Sequence, residues 1–178
     1  QRQMCIRDSL TALVKALGPI QEVIGYSKKT FDKRNVENPE VNYKEINVDV
    51  DTHYFGLLKF KSGIIVDFQV TFDIWKPYDP KLEIYGDKSS LKLADPNNYD
   101  GEIFIFDKDL YQWELIYSST DSQNNFYRGL GVVNMVKAIK NNTVSEDELS
   151  VPFHILEVMC ALDSYNIDSG WKKISQQF

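Results

Sequence analysis

The clearest signal in the chain is a two-residue alternation. Between Ile64 and Ile74, Val66, Phe68, Val70 and Phe72 alternate with Asp67, Gln69, Thr71 and Asp73. This pattern predicts a strand with one apolar and one polar face, as in an antiparallel sheet packed on a core by one side only. The segment before it, EINVDVDTHYFGLLKF, is rich in β-branched and aromatic residues, and Lys61-Ser62-Gly63 joins the two runs as a hairpin turn. Two more hairpins are expected: KLEIYG into SLKLA through Asp87-Lys88-Ser89, and EIFIFD into YQWELIY through Lys108-Asp109-Leu110. An earlier strand spans Ile20 to Phe31, and the polar stretch 32–44 reads as a loop.

A 3.6-residue period flanks these strands. Leu10, Leu13, Val14 and Leu17 mark a helix stopped by Gly18-Pro19, and Val132, Met135, Val136 and Ile139 mark another from about Gly129 to Lys140. Pro152 suits the first turn of a third helix, whose core stripe is predicted to be Ile155, Leu156, Met159 and Leu162. Gly170 ends that region, and WKKI adds a short last strand. Strands grouped in the middle with helices at the ends give an α+β class: an open, twisted, mostly antiparallel sheet with helices packed on one face. Residues 1–9, QRQMCIRDS, follow neither period and read as neither helix nor strand.

Composition narrows the function classes. With 178 residues, 43% hydrophobic and 26% charged, the chain fits one globular domain. Its net charge of −6 comes from interspersed acids and bases, which argues against a nucleic-acid or anionic-membrane partner. No run is long and apolar enough for a membrane-spanning helix. Two cysteines, Cys5 and Cys160, make no disulfide framework, so a reducing, cytoplasmic setting is expected, with Cys160 buried as a small hydrophobe.

Familiar catalytic signatures are missing from this sequence. It has no GxGxxG, Walker A, HExxH, CxxC or GxSxG, and His53 and His154 lie too far apart for a metal spacing. Three places could still meet a ligand. Asp73, Trp75 and Lys76 stand where the long strand leaves the sheet, a corner suited to a polyol because CH faces stack on an indole while carboxylates accept hydroxyl donors; an ordinary solvated strand end is the alternative. His154, following Val-Pro-Phe, could bond a substrate hydroxyl or carry a proton, or be a satisfied structural residue. Arg128, before Gly129-Leu130-Gly131, could hold an anion at a helix start or form a structural ion pair.

The ordered series LTALVKALGP, THYFGLLKFKSGIIVDFQVTFDIW, LEIYGDKSSLKLADPN, YRGLGVVNMVKAI and FHILEVMCALDS resembles the C-terminal domain of the Gfo/Idh/MocA oxidoreductases, from Leu10 to about Trp171. The resemblance implies a parent protein that binds NAD or NADP in an N-terminal Rossmann domain and moves a hydride between a sugar or polyol carbon and nicotinamide. The present part would then supply pocket walls and a homo-oligomer contact through its sheet. The family's Gly-rich turn and catalytic lysine belong to the other domain, so this part alone would bind no dinucleotide and catalyse nothing. Arg128 and His154 fall at the family's Arg and late His, while the usual Asp of Gly-x-x-Asp-Met is Asn134 here.

Just before Leu-Thr-Ala-Leu, the family subgroup has an Asp-x-Gly-Pro-Tyr-Tyr stretch that residues 1–9 replace. Those nine residues resemble a translated transposase-type sequencing adapter. They are therefore expected to be non-native, leaving 10–178 as the C-terminal substrate-binding and oligomerisation domain of a longer protein. A reading from another class is a non-catalytic, β-rich oligomerisation or carbohydrate-binding module.

Overall fold

The computed structural model describes residues 2–36, 40, 44–75, 82–98, 100–119, 129–143, 147–163 and 170–175, and of these the side chains of all but 2–5, 147 and 148. Helix α1 (Arg2–Leu17) is followed by strands β1 (Ile20–Lys28), β2 (Lys33–Asn35), β3 (Glu45–Asn47), β4 (His53–Phe60) and β5 (Ile65–Thr71). Next come β6 (Leu82–Tyr85), β7 (Ser90–Leu93), β8 (Gly101–Asp107) and β9 (Gln112–Ser119), then α2 (Leu130–Lys140), α3 (Asp147–Asp163) and β10 (Lys172–Lys173). The α+β class holds. All pairings are antiparallel among the described residues, in sheets of order β10-β1-β4-β5 and β6-β7-β8-β9 and a small β2-β3 pair.

The chain forms two compact units, residues 1–75 with 146–178 and residues 76–145. In the first, α1 and α3 cover one face of the β10-β1-β4-β5 sheet. Its core is Leu10, Leu13 and Val14 of α1, Ile20 and Val23 of β1, Leu58 and Phe60 of β4, Phe68 of β5, and Ile155, Val158, Ala161 and Leu162 of α3. Strand register sorts the two faces. Opposed residues share a face, so Tyr26, Phe55 and Gln69 stand side by side, as do Ile24, Leu57 and Asp67. No described helix of this unit covers that face. On the helix side, Gly25 and Gly56 pair, which lets Leu162 of α3 reach the backbone; a Cβ on Gly25 would lie 3.3 Å from its Cδ2.

Several local expectations change. Residues 2–9 are helical: Arg, Gln, Met and Ile are adequate helix formers, and Ile6 precedes Leu10 by four residues, so adding turns to a formed helix is cheap although the first nine residues lack a period of their own. The segment 45–60 is broken at 48–52 into β3 and β4, and the expected 32–44 loop contributes β2, which pairs with β3. Strand β1 stops at Lys28 rather than Phe31.

Pro152 lies inside α3, not in its first turn, because the helix starts at Asp147. The buried stripe of α3 is His154, Ile155, Val158, Ala161 and Leu162; Leu156 faces out. Cys160, four residues on, shares that outward face and is exposed rather than buried. The expected turns do appear: Gly18 (φ +88°) ends α1 with its N–H on Val14 O at 2.9 Å, and Gly63 (φ +88°) closes the β4–β5 hairpin.

The second unit holds β6–β9 and α2. Trp113 packs edge-on against Phe106 at 5.4 Å and takes the Lys92 ammonium over its ring at 4.1 Å. No described residue of this unit is buried, and Val132, Met135, Val136 and Ile139 of α2 are exposed.

Candidate functional site

The loops after β1, before β4 and after β5 meet at one end of the first sheet, and Asp73 is where they converge. The chain leaves β5 at Thr71, whose Oγ1 accepts the Asp73 N–H at 3.0 Å. Asp73 Oδ2 accepts from Thr30 Oγ1 (2.5 Å) and Thr52 Oγ1 (2.8 Å), and Oδ1 is paired with the Arg34 guanidinium of β2. The other arm of Arg34 donates to Phe72 O at 3.4 Å. The Phe31 and Phe72 rings lie 5.7 and 5.9 Å from the guanidinium carbon.

Thr52 is itself buried. It ties the same junction through its backbone, donating N–H to Lys28 O (3.0 Å) and accepting from Phe72 N (2.8 Å). The Asp73 side chain is only 10% exposed. Burial pushes its carboxyl up, but hydrogen bonds from Thr30 and Thr52, then the charges of Arg34 and His53, outweigh this and hold it below the usual carboxylate value. Two residues on, Trp75 is 100% exposed. A large indole in open water beside a fixed carboxylate is available for stacking.

The other expected site residues separate from this corner. His154 is 0% exposed, and its Nε2 accepts the Ile20 N–H at 3.0 Å, bridging α3 to the first residue of β1. That bond requires Nε2 to be unprotonated. Ile20 and Lys28 are the two ends of β1, roughly 26 Å apart at about 3.3 Å per residue, and Thr30 lies two residues beyond the far end. One monosaccharide cannot touch both His154 and Asp73. Lys76 and Arg128 lie outside the described residues.

Sequence reading missed Arg34, Thr30 and Thr52, because nothing local marks three residues from different loops as partners of one carboxylate. It also missed Tyr54, whose hydroxyl donates to Asp163 Oδ1 at 2.6 Å and links β4 to the end of α3. Burial, the hydrogen bond to Asp163 and the charges of Asp163 and Asp51 push that phenol strongly up.

Among the described residues every strand pairing is antiparallel, and no Gly-rich turn leads from a strand into a helix N-terminus. No cluster of three His, Cys, Asp or Glu side chains suited to a metal occurs among the described residues. No described helix is long and apolar enough to cross a membrane.

Comparison with known proteins shows what these features resemble. No curated protein matches the sequence. Among solved structures, a levoglucosan dehydrogenase in its apo form is 12% identical, with a TM-score of 0.71 over 97% of this chain and 50% of its own. An NAD-binding oxidoreductase from Klebsiella pneumoniae is 16% identical (TM-score 0.66, 97% and 50%), and an oxidoreductase domain protein from Kribbella flavida is 20% identical (TM-score 0.62, 94% and 50%). At such identities the likeness is one of fold. The chain spans about half the length of each of these proteins. The family model described as the GFO/IDH/MocA C-terminal domain matches residues 9–92, which run from the last turns of α1 into β7, and over that stretch the chain is similar to the C-terminal domain of the Gfo/Idh/MocA oxidoreductases.

Proposed function

We propose that the chain is the substrate-side and assembly portion of an NAD(P)-dependent oxidoreductase, one that transfers a hydride between a sugar or polyol carbon and nicotinamide. The observation that carries this reading is the family match over residues 9–92. Structures of levoglucosan dehydrogenase in complex with NADH and with L-sorbose or levoglucosan support the substrate class, since this chain shares their fold over 96% and 94% of its length. The Rossmann domain, its lysine and the cofactor contacts belong to a preceding part of the parent protein, and residues 10–178 form the domain it would dock.

Within that enzyme the corner beyond β5 acts as a pocket wall. Trp75 stacks on the CH face of a sugar ring, and Asp73 fixes the wall from behind. His154 holds β1 to α3. The helix-free face of the first sheet, with Tyr26 and Phe55 exposed and a Glu22–Lys59 ion pair at 2.9 Å, serves self-association. A complete reading frame, expressed and assayed by nicotinamide absorbance against sugars and polyols, tests the proposal. Substrate-dependent turnover is expected; a complete protein that binds neither NAD nor NADP would overturn it.

A further inference from the structure

The carboxylate that looked like a hydroxyl acceptor is already engaged on both oxygens. Asp73 takes two threonine hydroxyls on Oδ2 and the Arg34 guanidinium on Oδ1. These three partners come from separate segments: the residues after β1, strand β2, and the residue before β4. Thr52 reaches two points of the departing chain through one hydroxyl and its own carbonyl, and of these three side chains Arg34's alone reaches two, Asp73 through one arm and Phe72 O through the other. Its guanidinium is planar and presents its donors in a fixed fork, so gripping two successive residues sets their direction and not merely their proximity.

The Arg34 Nε is buried and meets no hydrogen-bond partner among the described residues. Such a group is costly, and it is retained here where the two arms of the same guanidinium are committed to the chain leaving β5. Beyond the half-exposed Ile74, Trp75 is wholly exposed, so the backbone that carries it decides where it stands.

We infer that Arg34 is a positioning residue: through Asp73 and Phe72 it fixes the direction in which the chain leaves β5, and so holds the Trp75 indole as an open stacking surface for a sugar ring. The last clause rests on the proposed function; the clamp itself does not. Thr30 and Thr52 complete it by keeping Asp73 from turning away when the guanidinium shifts. Lysine could keep the ion pair with Asp73 but cannot span Phe72 O at the same time.

The experiment uses the whole chain with Trp113→Phe and Trp171→Phe, leaving Trp75 as the sole indole, and time-resolved fluorescence anisotropy as the readout. With Arg34 present, the exposed indole already shows a fast component from its own rotamer motion, and the remainder depolarises with the tumbling of the protein. Arg34→Ala is expected to raise the fast, nanosecond part of the depolarisation roughly twofold, and Arg34→Lys to raise it by less. Glu22→Gln, which removes the Glu22–Lys59 pair of the same sheet, controls for general loosening and should leave the fast component unchanged.

Arg34→Lys also carries the test if the alanine variant does not fold. A fast component equal to wild type in the folded Arg34 variants overturns the inference, as does an equal rise in Glu22→Gln. No sugar enters this measurement, so its failure removes the clamp, whereas failure of the turnover assay removes the functional reading and leaves the anisotropy result standing.

Discussion

His154→Phe separates a core hydrogen bond from a substrate contact. The imidazole is fully buried, and its Nε2 accepts the N–H of Ile20, itself fully buried. Phenylalanine keeps most of the ring volume but strips that N–H of its acceptor, which should cost about 1–3 kcal/mol. His154→Ala adds loss of the buried ring's packing, for a total of about 3–5 kcal/mol. Against a typical domain stability of about 5–15 kcal/mol, the alanine variant would be marginal.

The assay is urea denaturation followed by far-ultraviolet circular dichroism. A loss of about 2 kcal/mol with a slope of about 2 kcal/mol per molar moves the midpoint down by about 1 M. His154→Gln provides the positive control, since a side-chain amide oxygen can take the place of Nε2. A His154→Phe chain within about 0.5 kcal/mol of wild type would refute the core role.

Other outcomes follow from the same geometry. Gly56→Ala would put a Cβ 2.3 Å from Ile24 O and 2.8 Å from the Gly25 Cα, both backbone atoms, so thermal melting should show a loss of about 3 kcal/mol or more. Because the folded pKa of Asp73 is lowered, its contribution to stability is present above the unfolded carboxylate value of about 3.9 and fades as pH falls through the folded value. The stability gap between wild type and Asp73→Asn should therefore narrow from pH 7 towards about 3, and a constant gap would contradict the clamp.

Tyr54 behaves in the opposite sense. Its folded pKa is raised, so its contribution is complete below the unfolded value of about 10 and is lost as pH rises beyond it; Tyr54→Phe should abolish that alkaline loss in pH-dependent melts. Phe55→Asp, in the middle of the helix-free face, should shift sedimentation of a self-associating chain towards monomer, and an unchanged distribution would exclude this face.

Strands whose environment is periodic were legible in the sequence. Val66, Phe68 and Val70 alternate because one side of β5 meets a core, and Gly63 marks the turn because its φ is positive. Legibility failed where the third dimension decides. The apolar residues of α3 surround more than one face, so Leu156 and Val158 are equally good core candidates until α1 and β1 select a side. For His154 a substrate contact and a satisfied structural role stayed open, because its partner, Ile20, is 134 positions away.

The Asp73 clamp was invisible for the same reason. Thr30, Arg34 and Thr52 belong to three polar stretches with no shared pattern, and only the closing of β1 against β4 and β4 against β5 brings them to one carboxylate. The grouping of the two periods carried the α+β class, and the family segments between Leu10 and about residue 92 carried the resemblance that the family model matches.

The most direct test of the proposed chemistry follows the transferred hydrogen itself. A complete protein containing residues 10–178 would be supplied with NAD(P) and a polyol deuterated at its carbinol carbons, and the product nicotinamide read by mass spectrometry. Hydride transfer predicts one deuterium on the reduced nicotinamide for each polyol oxidised. Reduced nicotinamide without deuterium, or no reduction of a bound cofactor by any sugar or polyol, would contradict it.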